Sequence, residues 1–529
     1  MPRYLLLLVV LLAPRALQAA TITVTPSDSY AKIEAAVAGD TVLIAPGTYK
    51  FRVLLDHDGT ATKPIVIRAQ DPANRPVWDL GGKVVSRWPG SYTAGDKGRG
   101  CWQVSGSHYV IEGIVFRNCQ DTSSSGLRAI NSSALTVRDC LFEHSTNGIT
   151  GSAEGFVVEF CEFHDNGKLT TTGNPSHNVY IFGGTFSLRY SYLHHPLEGQ
   201  NLHIRARQAE IEYNWLSGAA SYPADLMSCE TLCGGSGSAA ITQKMTLRGN
   251  IIVQDGGQTN LSQFIAMYND EPGGSNDSSG AVSSMELTLI HNTVVGVPMA
   301  AGMTQRLVNM RNDGVVTKVV MHNNIVYQVK ELAVPYEASK TNWSRSGHNN
   351  WVSTGTPTTD LTGSVVGSSP GFVDASARNL RLTTQSPCVG KAAAVAGLPT
   401  KEYYLDETVT QQYRLRATAQ DIGAYEQGNT AAPVGPHGAA PTPDGGVPTD
   451  GGSTQDGPGP ATDGLAPALD GTPTGDGAAV HDAAGDGAAQ SDDDGCGCVV
   501  GDSPRSAPLL LLLLLGLTTL RAWNNRRTM

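Results

Sequence analysis

The chain has 529 residues, with 37 basic and 48 acidic side chains and a formal net charge of −11. Eleven aspartates, with no Lys, Arg or Glu among them, fall between residues 429 and 495. The acidity therefore belongs mainly to one segment, and it argues against nucleic acid as a partner.

Taken in chain order, residues 1–20 form an export signal. Arg3 gives a positive start, Leu5 to Leu12 an apolar stretch too short to span a membrane, and Ala19-Ala20 a small-residue exit where cleavage is expected. Residues 21–428 then form one large domain, Gly-rich and full of short apolar alternations. One block recurs through it, as Val137-Arg-Asp-Cys140-Leu-Phe142, Val158-Glu-Phe-Cys161-Glu-Phe163 and Ile211-Glu-Tyr-Asn214-Trp-Leu216. It continues as Leu247-Arg-Gly-Asn250-Ile-Ile252, Leu289-Ile-His-Asn292-Thr-Val294 and Met321-His-Asn-Asn324-Ile-Val326. The fourth positions lie 21, 53, 36, 42 and 32 residues apart, and the interval of 53 hides one further copy at Leu188 to Leu193. A strand unit recurring every 20 to 40 residues with loops of variable length predicts an all-β parallel β-helix.

In such a coil the repeated Asn214, Asn250, Asn292 and Asn324 stack at about the 4.8 Å strand spacing and bond one another inside a turn. Cys140 and Cys161 take the same slot, which makes them ladder members before disulfide partners. Cys119, 21 residues before Cys140, falls outside that frame. Cys229 and Cys233 are close enough for a local bridge, and export permits disulfides.

A second strand series runs through Leu127–Ile130, Gly148–Thr150, Val179–Ile181, Leu202–Ile204, Phe264–Tyr268 and Leu307–Arg311. In the segment from Gln200 to Arg207, Leu202, Ile204 and Ala206 alternate with His203, Arg205 and Arg207, the period of a half-buried strand. Val179 lies one coil before Leu202, so Tyr180 is placed beside His203. Tyr, His and two Arg on one solvent-facing sheet suit an anionic sugar.

Residues 429–495 are Gly, Pro, Ala, Thr and Asp with almost no large apolar side chain, a composition expected to stay disordered as a stalk. Residues 496–529 hold Cys496 and Cys498, an apolar stretch from Ala507 to Leu520, and Arg521, Arg526 and Arg527. This tail resembles C-terminal sorting signals of the MYXO-CTERM type. The resemblance implies processing near the two cysteines by a sorting machinery, with retention at the membrane; a plain short hydrophobic anchor is the other reading.

The opening from Ile33 through Gly39-Asp40 and Pro46-Gly47 to Tyr49, followed by Lys63-Pro64-Ile-Val-Ile-Arg-Ala69, resembles the N-terminal cap of the pectate lyase-like superfamily. That superfamily includes chondroitinase-B and alginate lyase types. Ser176-His177-Asn178-Val179-Tyr180, Gly199 to Ala206 and Ser221-Tyr222-Pro-Ala-Asp225-Leu226 resemble three successive coils of its secreted bacterial members. Pro370 to Asp374 and Asp421 to Glu426 resemble a closing segment of exported β-helix proteins. The resemblance implies a single-stranded right-handed parallel β-helix, monomeric and acting on an acidic polysaccharide. A Lys usual in the second coil is His203 here. By analogy a Ca²⁺ ion is also implied, although no Ca²⁺-loop spacing is present.

β-Elimination from a uronate needs positive charge at the carboxylate, a base for the adjacent C–H and an acid for the leaving oxygen. Arg205 and Arg207 are the candidates for the first, His203 for the second, and Tyr180 or Tyr222 for the third. His177, Asn178, His194 and Asp225 are placed around them as substrate contacts. Two alternatives stand beside the lyase: a non-catalytic surface adhesin, and a glycoside hydrolase of the same fold. The hydrolase would need paired carboxylates roughly 5–10 Å apart, of which this sheet offers few.

Overall fold

A computed structural model describes residues 19–82, 100–120, 124–167, 176–229, 232–233, 241–255, 262–268, 282–298, 304–310, 315–336, 339–404 and 411–439. The expected export signal up to residue 18, most of the expected 429–495 stalk, and the expected sorting tail with Cys496 and Cys498 lie outside these residues.

The chain is a parallel β-helix. Each coil contributes a strand to three parallel ladders, here called faces I, II and III. One full coil runs from Leu202–Ile204 on face I, through Gln208–Glu212 on face II, to Trp215–Ser217 on face III. The next begins at Ala224–Met227, paired in register with Leu202–Ile204. The long strands Asn147–Glu159 and Val179–Arg189 cross from face I into face II without a break. A four-residue helix, Ala31–Glu34, lies at the start of the domain, burying Ile33.

Alternation puts one side chain in two inside, and parallel register stacks like on like. On face II, Val137, Val158, Leu188, Ile211, Leu247, Leu289 and Met321 are successive register partners, all buried. On face III the Phe116, Phe142 and Phe163 rings stack with centroids 4.8 Å apart, the spacing of the strands themselves. The core is thus a set of columns, each the product of one sequence position repeated.

The corner between faces II and III holds the asparagine ladder. Nδ2 of Asn214 donates to Oδ1 of Asn250 at 3.0 Å, Asn250 to Asn292 at 3.0 Å, and Asn292 to Asn324 at 3.0 Å. The ladder extends in both directions. Asn324 donates to Asn350 Oδ1, and the Ser191 backbone N–H donates to Asn214 Oδ1. Cys140 and Cys161 continue the slot as buried free thiols. Cys119 is bridged to Cys101, a pairing the repeat frame gives no hint of, and Cys229 is bridged to Cys233.

The residue before each ladder member is left-handed: Phe160, Tyr190, Tyr213 and His291 have φ of 54°, 55°, 55° and 53°. That conformation costs a bulky residue about 1–2 kcal/mol. Packing offsets it, because these side chains point outward and are covered by the chain's own return. After the last coil, the segment from about residue 370 runs back along this corner. Asn349 donates to Lys391 O, Gly423 N–H to Asn323 O, and Lys401 Nζ to the Tyr190 hydroxyl at 2.6 Å. Tyr403 joins Phe160, Tyr190, Tyr213 and Trp215 in one apolar cluster.

That return corrects the domain boundary. The composition ends the folded part at Gly428, yet the strands Val434–Gly435 and Gly438–Ala439 lie beyond it. Val434 pairs with Tyr413, and the His437 ring lies 3.3 Å from the Glu112 carboxylate and 3.2 Å from that of Asp139. A few residues with specific partners suffice to order a segment whose average composition predicts none.

Candidate functional site

Successive register pairs on the outer side of face I place Gln103, Arg128, Thr150, Tyr180, His203 and Asp225 in one row along the helix axis. The alternation around Leu202 and Ile204 sends His203 out of the core, as its strand pattern requires. The row is recessed: His203 is 9% exposed and Asp225 1%.

His203 sits at its centre. The Tyr180 ring centroid is 4.4 Å from that of His203, and the His177 ring 4.7 Å. Nδ1 of His203 is 3.4 Å from Oδ2 of Asp225, and neither ring nitrogen makes a hydrogen bond. Both amide atoms of the buried Gln103 are likewise unbonded. A buried polar atom without a partner costs about 1–3 kcal/mol, so a row of them is retained against stability.

His177 is buried behind this pair. Its Nδ1 accepts from the Gln200 backbone N–H at 3.3 Å, and burial with the His203 ring alongside holds its pKa well below the usual histidine range. Near neutrality it is therefore an uncharged ring. Gly199 makes room for it: with φ of 60°, a Cβ there would lie 2.7 Å from His177 Nδ1.

Several expected site residues are placed elsewhere. Arg205 is not on a solvent-facing stripe but 1% exposed, its Nε donating to Ser228 O at 3.0 Å. The strand ends at Ile204, so the alternation that predicts an outward stripe no longer applies. Arg207 lies past the corner and pairs with Glu154 at 3.1 Å. Tyr222 is buried one coil beyond His203, packed on Met227 and on Ala266, the rung that follows Asp225 in the same row. Asn178 is no substrate contact, because it faces inward in a second asparagine ladder at the corner between faces III and I. Asn166 Nδ2 donates to Asn178 Oδ1 at 3.0 Å, and Asn178 Nδ2 to Asn201 Oδ1 at 2.8 Å. His194 belongs to face III, where Nε2 lies 3.1 Å from Glu162 Oε1. Burial lowers the pKa of His194; burial would raise that of Glu162, but the bond to His194 and the charges of His194, His164 and Arg75 together bring it down.

Arg128 was not singled out from the sequence. Its register with Thr150 brings it into the row, and Phe182 lies under its guanidinium at 6.0 Å. Only the pairing of Leu127–Ile130 with the next two coils could have found it. Among the described residues, no three His, Cys, Asp or Glu side chains converge as a metal site.

No family model and no curated protein sequence matches the chain. Among solved structures it is similar to a pectate lyase, at 14% identity over 77% of this chain and 96% of that one, with a TM-score of 0.46. An alginate lyase from Paenibacillus aligns at 15% identity over 61% and 99%, TM-score 0.46. A rhamnogalacturonan lyase aligns at 14% over 78% and 96%, TM-score 0.42. The likeness is loose, and no residue role is carried over from it.

Proposed function

We propose that the chain is an exported polysaccharide lyase that cleaves a uronate-containing glycan by β-elimination at His203. The observation that carries the reading is the recessed imidazole with two unbonded nitrogens, set between a tyrosine and a carboxylate. Asp225, 3.4 Å from Nδ1 without a hydrogen bond, favours a positive charge on the ring, and Nε2 is left to take the proton next to the sugar carboxylate. As that C–H bond breaks, its electrons form the ring double bond and the glycosidic C–O bond opens. Tyr180, in ring contact with His203, supplies the proton to the leaving oxygen.

The charge requirement is met differently from the sequence expectation. Arg205, two residues along from His203, acts as a buried positive field and not as a contact, and its effect is magnified by the low local dielectric. Arg128 stands three rungs from His203, about 14 Å at the strand spacing, which suits the carboxylate of a neighbouring sugar unit. Along the described row from Gln103 to Asn309, Asp225 is the single carboxylate. Paired carboxylates are what a hydrolase needs, so elimination fits the row better.

Export is supported by residues 1–20 and by the two disulfides, which suit an oxidising compartment. In this reading residues 440–529 hold the domain at the cell surface. The test is a screen of the full chain against pectate, alginate, rhamnogalacturonan and glycosaminoglycans, with and without added Ca²⁺, following unsaturated-uronate absorbance. Cleavage of one polymer supports the lyase. Retention of a polymer without cleavage would replace it by the adhesin, and reducing ends without absorbance by the hydrolase.

A further inference from the structure

The left-handed residues at the corner between faces II and III form one outward column, and the returning segment follows it. Ala393 N–H donates to Asn323 Oδ1, Lys401 to the Tyr190 hydroxyl, and the Tyr413 ring lies 6.1 Å from that of Phe160. Asp139, with φ of 53°, is the member of the column one coil before Phe160. The return ends on this rung. Val434–Gly435 and Gly438–Ala439 form a tight hairpin there, joined to Tyr413 through Val434. His437, at the hairpin tip, presents Nε2 to Asp139 Oδ2 at 3.2 Å and Nδ1 to Glu112 Oε1 at 3.3 Å. Arg75 holds the other oxygen of Asp139. Arg68 and Arg138 flank Glu112 as register partners, and Arg138 is itself paired with Glu159.

A carboxylate can only accept hydrogen bonds, and a neutral imidazole has a single N–H. Carboxylates on both ring nitrogens therefore need one proton more than a neutral His437 carries, whether it resides on the ring or on a carboxyl. Without that proton, a nitrogen lone pair faces a carboxylate oxygen. We propose that His437, Asp139 and Glu112 form a proton-dependent latch, which holds the root of residues 440–529 against the Asp139 coil and releases it when the extra proton is lost. Histidine changes charge between about pH 5 and 8, so acid closes the latch and mild alkali opens it. Burial raises the pKa of Asp139, against Arg75 and His437 which lower it, so the carboxyl side of the triad also favours keeping a proton. Asp139 is buried while His437 is half-exposed, so the ring can leave without disturbing the core. With the latch closed, the chain departs from the domain at the Asp139 coil. With it open, the last fixed point is Asn429, which donates to Leu415 O and accepts from Arg414. The latch thus sets where the tether begins. It lies on another corner from the His203 row, so it stands whether or not that row is catalytic.

The test is hydrogen exchange of the full chain, read by mass spectrometry on the peptide covering residues 430–439, at about pH 5.5 and about pH 8.5. His437→Ala is the open reference at each pH, and the comparison cancels the intrinsic pH dependence of exchange. Asp139→Asn puts an amide donor opposite Nε2, so a neutral His437 can bond on both sides, and Asn tolerates the left-handed backbone there. The parent is expected to be protected at least about tenfold over His437→Ala at the lower pH and to match it at the higher one. Asp139→Asn is expected to keep its protection at both. Equal exchange in the parent and His437→Ala at the lower pH, or undiminished protection of the parent at the higher one, would overturn the inference.

Discussion

Nδ1 of His203 and Oδ2 of Asp225 face each other at 3.4 Å across two register-paired strands, in a row where both groups are almost withdrawn from water. The pair is set by two positions of a repeating coil, which place the carboxylate beside the imidazole. Asp225→Asn keeps the shape and removes the charge. The expected outcome is a fall in kcat of about 10²-fold or more, with KM and melting temperature nearly unchanged. A merely structural Asp225 would lower the melting temperature and leave the kcat of the folded protein unchanged.

Arg205 is expected to behave as a buried structural cation. Arg205→Ala leaves the Ser228 carbonyl without its charged donor and opens a cavity. The predicted loss is about 2–3 kcal/mol, read from the urea midpoint of the full chain. Arg207→Ala, at a half-exposed pair with Glu154, should cost under about 1 kcal/mol in the same measurement.

The asparagine ladder predicts a graded series. Asn250→Ala deprives the Asn214 side chain and backbone N–H of their acceptor, and should destabilise by about 2–4 kcal/mol. Asn250→Ser should recover part of that loss. In the same slot, Ser191 Oγ accepts from the backbone N–H of the coil before it.

Acid stability turns on His291. Its Nε2 accepts from Asn323 Nδ2 at 2.9 Å, and its Nδ1 faces Gly423 O at 3.3 Å. Ala393 N–H donates to Asn323 Oδ1, so the amide cannot turn to receive a proton. Burial, with Arg416 nearby, holds the His291 pKa down to about 3. A depressed histidine is neutral in the fold, while the unfolded chain takes up a proton below about pH 6.5. Stability is therefore lost as pH falls from about 6.5 towards 3. Glu402 acts in the opposite sense. Burial raises its pKa to about 7, so acidification from 7 to about 4.5 favours the fold at that site. His177 and His194, whose pKa values burial also lowers, add to the His291 loss, so the melting temperature should fall as pH drops below about 6.5. His291→Gln should flatten the drop in a pH series of thermal melts.

Much of this architecture was legible in the sequence because a β-helix writes its core as a column. Asn214, Asn250, Asn292 and Asn324 recur in the same block, and that period gives both fold and ladder. The second ladder of Asn166, Asn178 and Asn201 was not legible, since its members sit at loop ends with irregular intervals and no common block. Tyr180 beside His203 followed from the 23-residue coil between Val179 and Leu202. The fates of Arg205 and Tyr222 did not follow. Alternation predicts which side of a strand a residue leaves, and both residues lie just outside their strands. The return of residues 370–439 over Tyr190 and Tyr213 was likewise invisible, because antiparallel covering contacts across 200 residues leave no periodic trace.

The most direct test of the central claim is mass spectrometry of the products that the full chain releases from a susceptible uronate polymer, run beside His203→Ala. The account predicts oligosaccharides one water lighter than hydrolysis products, with the double bond at the new non-reducing end. It also predicts none from a His203→Ala protein of unchanged melting temperature. Water-added products, or undiminished cleavage by that variant, would contradict it.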